Sequence, residues 1–152
     1  MDREFNVFEG PEAFREYAEA WDALVTANDA GPLRLEAAAT ALPGFFLRSR
    51  WLNPWAKQCW VGTSVFLGAL MAGKEWSAGI PIQLRRGKIG RFEVTKFDFA
   101  GAPWSDGVGI PATESSAREE IALAILRWAC ENNSEWVVAD FRELADGGIS
   151  AD

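Results

Sequence analysis

Polar and apolar residues alternate from Glu4 to Phe8, the period-two signature of a short strand. Gly10-Pro11 closes it, and proline suits the first position of a helix. From there Phe14, Tyr17, Trp21, Leu24 and Val25 recur at the spacing of a single helix face, and Asn28 to Pro32 ends the run. The Ala-rich stretch Leu33 to Leu42 predicts a second helix before Pro43-Gly44. Then the period changes. Val61 to Met71 is a long apolar run, Trp76 to Leu84 follows it and is closed by Arg85 to Lys88, and Ile89 to Phe99 alternates through Phe92, Val94 and Phe97. Short glycine-containing connections predict antiparallel hairpins, hence a three-stranded meander. Ser116-Ala117-Arg118-Glu119 spells a capping box with Ser116 as the N-cap. The helix it opens runs to about Glu131, with Ile121, Ile125 and Trp128 on one face and Leu123 and Leu126 widening it into a well-buried element. Trp136 to Phe141 is a short apolar strand, which a crossover helix of this size sets parallel to its predecessor. The expected class is α/β (α+β): one domain over residues 1–152, ordered strand, helix, helix, three antiparallel strands, helix, strand on a mixed sheet.

Composition narrows the chemistry. A chain of 152 residues buries roughly two thirds of its unfolded surface without metal or disulfide support. Eight Trp and ten Phe supply more aromatic bulk than a core of this size needs, so some are available to a surface or cleft. Cys59 and Cys130 form no CxxC pair and are read as core thiols. Histidine is absent, which removes Ser-His-Asp and Cys-His nucleophile systems and His-ligated zinc from consideration. A catalyst built from this chain works through carboxylate, Tyr, backbone groups or a bound cofactor, and no metal is expected. The most apolar stretch, Val61 to Ala72, is short of the roughly 20 residues of a spanning helix. The acidic, amphipathic start lacks the pattern of a signal peptide. A soluble, cytoplasmic protein without membrane insertion is expected.

Net charge is −7, unevenly placed: residues 45–96 hold nine basic side chains against two acidic ones, and both flanks are acidic. Arg85, Arg86, Lys88 and Arg91 supply much of this island. It reads either as a solvated hairpin tip or as an anion site. An acidic whole argues against nucleic acid as the partner.

Two segments carry candidate chemistry. In "FFLRSRWLNPWAKQCW", Phe45 to Trp60, Trp51 and Trp55 lie four apart, on one face of any helix, although Pro54 is expected to allow only a first turn. Arg48 and Arg50 stand beside them. The segment is either a helical connection filling the core or an aromatic and arginine rim for a substrate. In "AGAPWSDGVGIP", Ala100 to Pro111, Gly107 and Gly109 invite comparison with a phosphate-cradling loop, and Trp104 and Asp106 precede them.

The succession of elements resembles the first half or more of the GNAT acyltransferase fold, in which the last strand splays from its parallel neighbour. The wording of "FREYAEAWDALV", "PGFFLRSRWLNPWAK", "AGIPIQLRRGKIGR", "FDFAGAPWSDGVGIP" and "SEWVVADFRELADGGIS" resembles more specifically the CelD-type cellulose-biosynthesis proteins, distant relatives of the Fem-type aminoacyl transferases. The resemblance implies transfer of an acyl group from acetyl-CoA or another acyl-CoA to an amine or hydroxyl of a small-molecule or glycan-like acceptor. Members of that family carry two GNAT-like halves, the better-formed coenzyme A site in the second. This chain is therefore expected to be the N-terminal half, partnered by a missing C-terminal half or by a homodimer mate.

The GNAT phosphate loop needs Arg or Gln, two residues, Gly, one residue, Gly or Ala, and then an immediate helix start whose free N–H groups face the phosphates. Here Trp104 stands where Arg or Gln is wanted, five residues separate Gly109 from the capping box, Pro111 removes a donor, and Asp106 and Glu114 bring negative charge. Acyl-CoA is thus expected to bind mainly outside this chain. The substrate-side candidates are Trp104, Trp51, Trp55, Arg48 and Arg50, with Asp106 as the catalytic candidate. A carboxylate there orients or deprotonates an acceptor if burial raises its pKa, or it serves only to accept N–H bonds inside a turn.

Overall fold

The computed structural model describes residues 2–30, 48–58, 63–100, 109–133 and 137–140. Its elements are strand β1 (Glu4–Glu9), helices α1 (Pro11–Glu16), α2 (Ala18–Ala30) and α3 (Ser49–Gln58), strands β2 (Thr63–Ala72), β3 (Glu75–Ile89) and β4 (Phe92–Phe99), helix α4 (Ser115–Glu131) and strand β5 (Val137–Asp140). All five strands join one sheet in chain order. β1 to β4 are successively antiparallel, and β5 runs parallel to β4 with Thr95 opposite Val137 and Asp98 opposite Asp140. This is the mixed α/β arrangement, with the strand directions, that the sequence predicts. The helix expected over Leu33 to Leu42 lies outside the described residues, as does Cys59.

Helices cover both faces of the sheet. Side chains alternate along a strand, so Gly79 and Ile80 of β3 point to opposite sides. A Cβ on Gly79 would meet the Trp21 ring of α2 at 2.5 Å, whereas a Cβ on Gly68, next to Ile80, would meet Ile125 of α4. α1 joins α2 on its side by packing on β2, and α3 packs on α1 and α2. With no solvated face, Val65–Leu70 and Ala78–Gln83 are buried at every position. That is why these strands read as unbroken apolar runs. Phe8, Tyr17, Trp21 and Trp76 tie β1, the first helices and β3 together, with ring centroids 4.2 Å apart for Phe8–Tyr17 and 6.2 Å for the edge-on Trp21–Trp76 pair.

Several local expectations are corrected. The first amphipathic run makes two helices parted at Tyr17. The break is shallow, because the Tyr17 N–H donates to the Ala13 carbonyl and the Trp21 N–H to the Tyr17 carbonyl. One apolar face therefore continues across it, with Phe14, Trp21, Leu24 and Val25 buried. Arg85–Lys88 is strand rather than turn, since β3 runs on to Ile89. The two hairpins turn instead at Gly73-Lys74 and Gly90-Arg91, where each glycine is the first central residue and has φ of +64° and +59°. A two-residue type II′ turn wants glycine there.

Ser116 does not cap α4: the helix starts at Ser115 behind Glu114, without a side-chain cap bond. Glu114 pairs instead with Arg3. Leu123 is exposed, because two residues on from Ile121 it lies on the far side of the helix. Cys130 is exposed as well, on that same outer side.

Gly79→Ala sets a methyl group against a ring that is itself 2% exposed. It should destabilise the fold by about 1–3 kcal/mol in urea denaturation; an unchanged midpoint would show that α2 is not seated on β3 as described.

Candidate functional site

The candidate site begins where β4 leaves the sheet. The Ala100 N–H donates to the Pro81 carbonyl at 2.9 Å. In a regular antiparallel pair the N–H of residue 81 would answer with a second bond, but proline has none. The β3–β4 ladder therefore ends at this point, although β3 continues. Its vacated edge is taken by the chain returning to α4: the Gly79 N–H donates to the Pro111 carbonyl at 3.0 Å, the Thr113 N–H to the Ser77 carbonyl at 2.9 Å, and Ala112 bridges to Ala78. Residues 101–108 thus leave and rejoin the sheet at Pro81 and Gly79, about 7 Å apart along β3. Trp104 and Asp106 belong to this loop and lie outside the described residues; its two anchors do not.

The return strap is held by a buried polar cluster. Arg118 of α4 donates from Nε to the Ile110 carbonyl at 3.0 Å and from Nη2 to Asn28 Oδ1 of α2 at 3.0 Å, and the Ala112 N–H approaches the same Asn28 oxygen at 3.3 Å. Asn28 and Arg118 are 2% and 7% exposed. Desolvation lowers the Arg118 pKa from its ordinary value, yet a guanidinium stays charged at neutral pH. Neither residue stands out by spacing: Asn28 reads as a helix stop and Arg118 as the middle of a capping box.

This geometry decides how the glycine pair can act. Gly109–Ala112 is buried, the N–H groups of residues 112 and 113 are already bonded, and residue 111 has none. The start of α4 is flanked by Glu114 and by Glu120, which takes Arg3 at 2.9 Å. The described part of the loop does not fit a coenzyme A pyrophosphate, which needs free amides at an open, electropositive helix start.

The other candidates share α3. It runs through Pro54 rather than stopping there, a correction with two causes: Leu52 and Ala56 are buried, and Asp22 of α2 holds the first turn. Asp22 accepts from the Ser49 N–H at 2.8 Å and from the Ser49 hydroxyl at 2.6 Å, a carboxylate at a helix N-terminus supplied by another helix. Arg48 donates to Thr26 Oγ1 at 2.6 Å and reaches the Asp22 carbonyl at 3.3 Å, so it too fastens α3 to α2. Arg50 is exposed. Trp51 and Trp55 are half-buried and stacked, 6.2 Å between centroids and 8° from parallel. The Trp55 Nε1–H is buried without a bonding partner.

One feature escapes pattern analysis altogether. Gln83 and Asp98 face each other across β3 and β4 and are 3% and 1% exposed. Arg85 Nε donates to Asp98 Oδ2 at 2.6 Å. This polar group lies two residues before the point where β4 departs. Its only sequence signal is an acidic residue between Phe97 and Phe99.

No family model matches the chain, and no curated protein matches it. Among solved structures, an aminoglycoside acetyltransferase from an uncultured soil metagenomic sample is similar in two complexes. With trehalose the TM-score is 0.47 and with sisomicin 0.45; both are 9% identical and cover 91% of this chain and 76% of that one. A likeness at that level assigns no residue and no substrate.

Asn28→Ala removes the acceptor shared by Arg118 and the Ala112 N–H. It should cost about 1–3 kcal/mol and speed amide exchange at Gly79 and Thr113 more than in the β2–β3 ladder. Uniform acceleration across the sheet would mean that Asn28 supports the core and not the strap.

Proposed function

We propose that this chain is the acceptor-binding module of a GNAT-type acyltransferase, resembling the N-terminal half of CelD-type proteins and serving polysaccharide or cell-envelope synthesis on the cytoplasmic side. The observation that carries the proposal is the doubly anchored loop at the carboxyl ends of the parallel pair β4 and β5, the edge at which open α/β sheets gather their ligands. That loop holds Trp104 and Asp106. In this reading Trp104 packs against a small-molecule or glycan-like acceptor and Asp106 orients its amine or hydroxyl and takes its proton. The buried strap supports the complementary half of the proposal, that acyl-CoA is held mainly by residues beyond this chain.

A second reading, a non-catalytic module binding a glycan or protein, is favoured by the stacked Trp51–Trp55 pair beside the exposed Arg50. The two separate in one set of measurements on the isolated chain and on the intact protein. Under the first, acetyl-CoA leaves the isolated chain's Tm unchanged while an acceptor from an amine and hydroxyl panel raises it. Asp106→Asn should then keep acceptor affinity in the intact protein but lower its turnover by about 100-fold or more. Wild-type turnover in that variant, or no acceptor at all, sinks the acyltransferase reading. Tryptophan emission shifted by an oligosaccharide, lost in Trp55→Ala and unaccompanied by turnover, would establish the second.

A further inference from the structure

We propose that a second copy of this chain docks on the β3–β4 ribbon, through a weak reciprocal pairing of that ribbon with the outer face of α4. Among the described residues three large apolar side chains are exposed: Ile89 at 51%, Phe92 at 61% and Leu123 at 66%. They fall into two patches of unlike charge. Arg86–Ile89 and Phe92–Val94 extend beyond Thr63 of β2, which stands opposite Arg85, and beyond Val137 of β5, opposite Thr95. Ile89 and Phe92 form the last cross-strand pair of this ribbon. Cations surround them: Arg86, Lys88 and Arg91 are exposed, and Arg91 lies over the Phe92 ring at 5.3 Å. Glu93 is the local acid, 4.0 Å from Lys88.

Leu123 is the counterpart. It projects from α4 one turn after Glu119 and Glu120 and one turn before Arg127, with Glu131 a further turn on, so its surroundings are acidic by three to one. Outside residues 45–96 the chain is acidic throughout, so a cationic, apolar ribbon finds its complement on another copy. One such junction is well below the roughly 800 Å² per partner of a standard interface. Two junctions related by a two-fold axis, each ribbon on the other copy's α4, approach it. The inference is independent of acyl transfer.

Sedimentation equilibrium or light scattering tests it. Wild-type chain should dimerise with Kd on the order of 10–100 μM at low salt, and about tenfold more weakly at high salt, as screening requires. Arg86→Glu/Arg91→Glu should be monomeric, and so should Glu119→Arg/Glu131→Arg. An equimolar mixture of the two should associate again, because each reversed ribbon then meets a reversed helix. All substituted side chains are exposed, and circular dichroism checks that each variant folds; Leu123→Asp gives a separate route to the same loss. A wild type that stays monomeric at 100 μM, about the weak end of that range, overturns the proposal. So does a dimer indifferent to the α4 reversal, or a monomer whose ribbon instead binds vesicles of anionic phospholipid.

Discussion

The missing N–H of Pro81 organises the working edge of this protein. β3 lies third of five strands and forms ladders on both sides, but its outer edge changes partner part-way along. From Ile82 to Ile89 that edge pairs with β4, at Pro81 the reciprocal bond cannot form, and from Gly79 to Ser77 it pairs with the strap that leads into α4. A proline in a central strand normally costs a ladder bond. Here the lost bond coincides with the place where a loop must leave, so the defect and the exit are one feature.

The strap in turn depends on helices from both faces. Asn28 comes from α2 and Arg118 from α4, and they meet through the end of the sheet at the Ile110 carbonyl and the Ala112 N–H. Burying a guanidinium is tolerable only when its N–H groups are bonded, and the strap supplies an acceptor for it. The arrangement makes the loop's C-terminal anchor rigid and removes its amides from any role with phosphate. Asp22 does comparable work for α3, whose first turn it caps from α2. The candidate residues on α3 and the loop carrying Trp104 and Asp106 are thus each referred back to α2, the helix seated on β3 by the close fit of Trp21 over Gly79.

Much of the architecture was legible in the residues themselves. Strict alternation, helix-face spacing and glycine-bearing connections identify β1, the meander, α4 and β5, because a solvated or half-covered element must display its period. The parallel β5 follows from the length of the crossover alone. The resemblance to GNAT proteins orders the same elements and points to the Trp104–Asp106 loop. The rejection of the glycine pair as a phosphate cradle rests on Pro111, Glu114 and the delayed helix, and the buried strap gives it a physical basis.

What the tertiary structure alone decided concerns partners distant in the chain. Local spacing cannot reveal that Asn28 meets Arg118, that Asp22 caps α3 past a proline, that Gln83 and Asp98 are buried opposite one another, or that Leu123 faces outward while its apolarity suggests burial. Nor can it show which glycine of "RRGKIG" makes the turn: Gly87 lies under the Lys96 stem in the ladder, and Gly90 takes the positive φ. Periodicity records which face of an element is covered. It carries no record of which other element covers it, and polar groups are buried only where that second element brings the matching donor or acceptor.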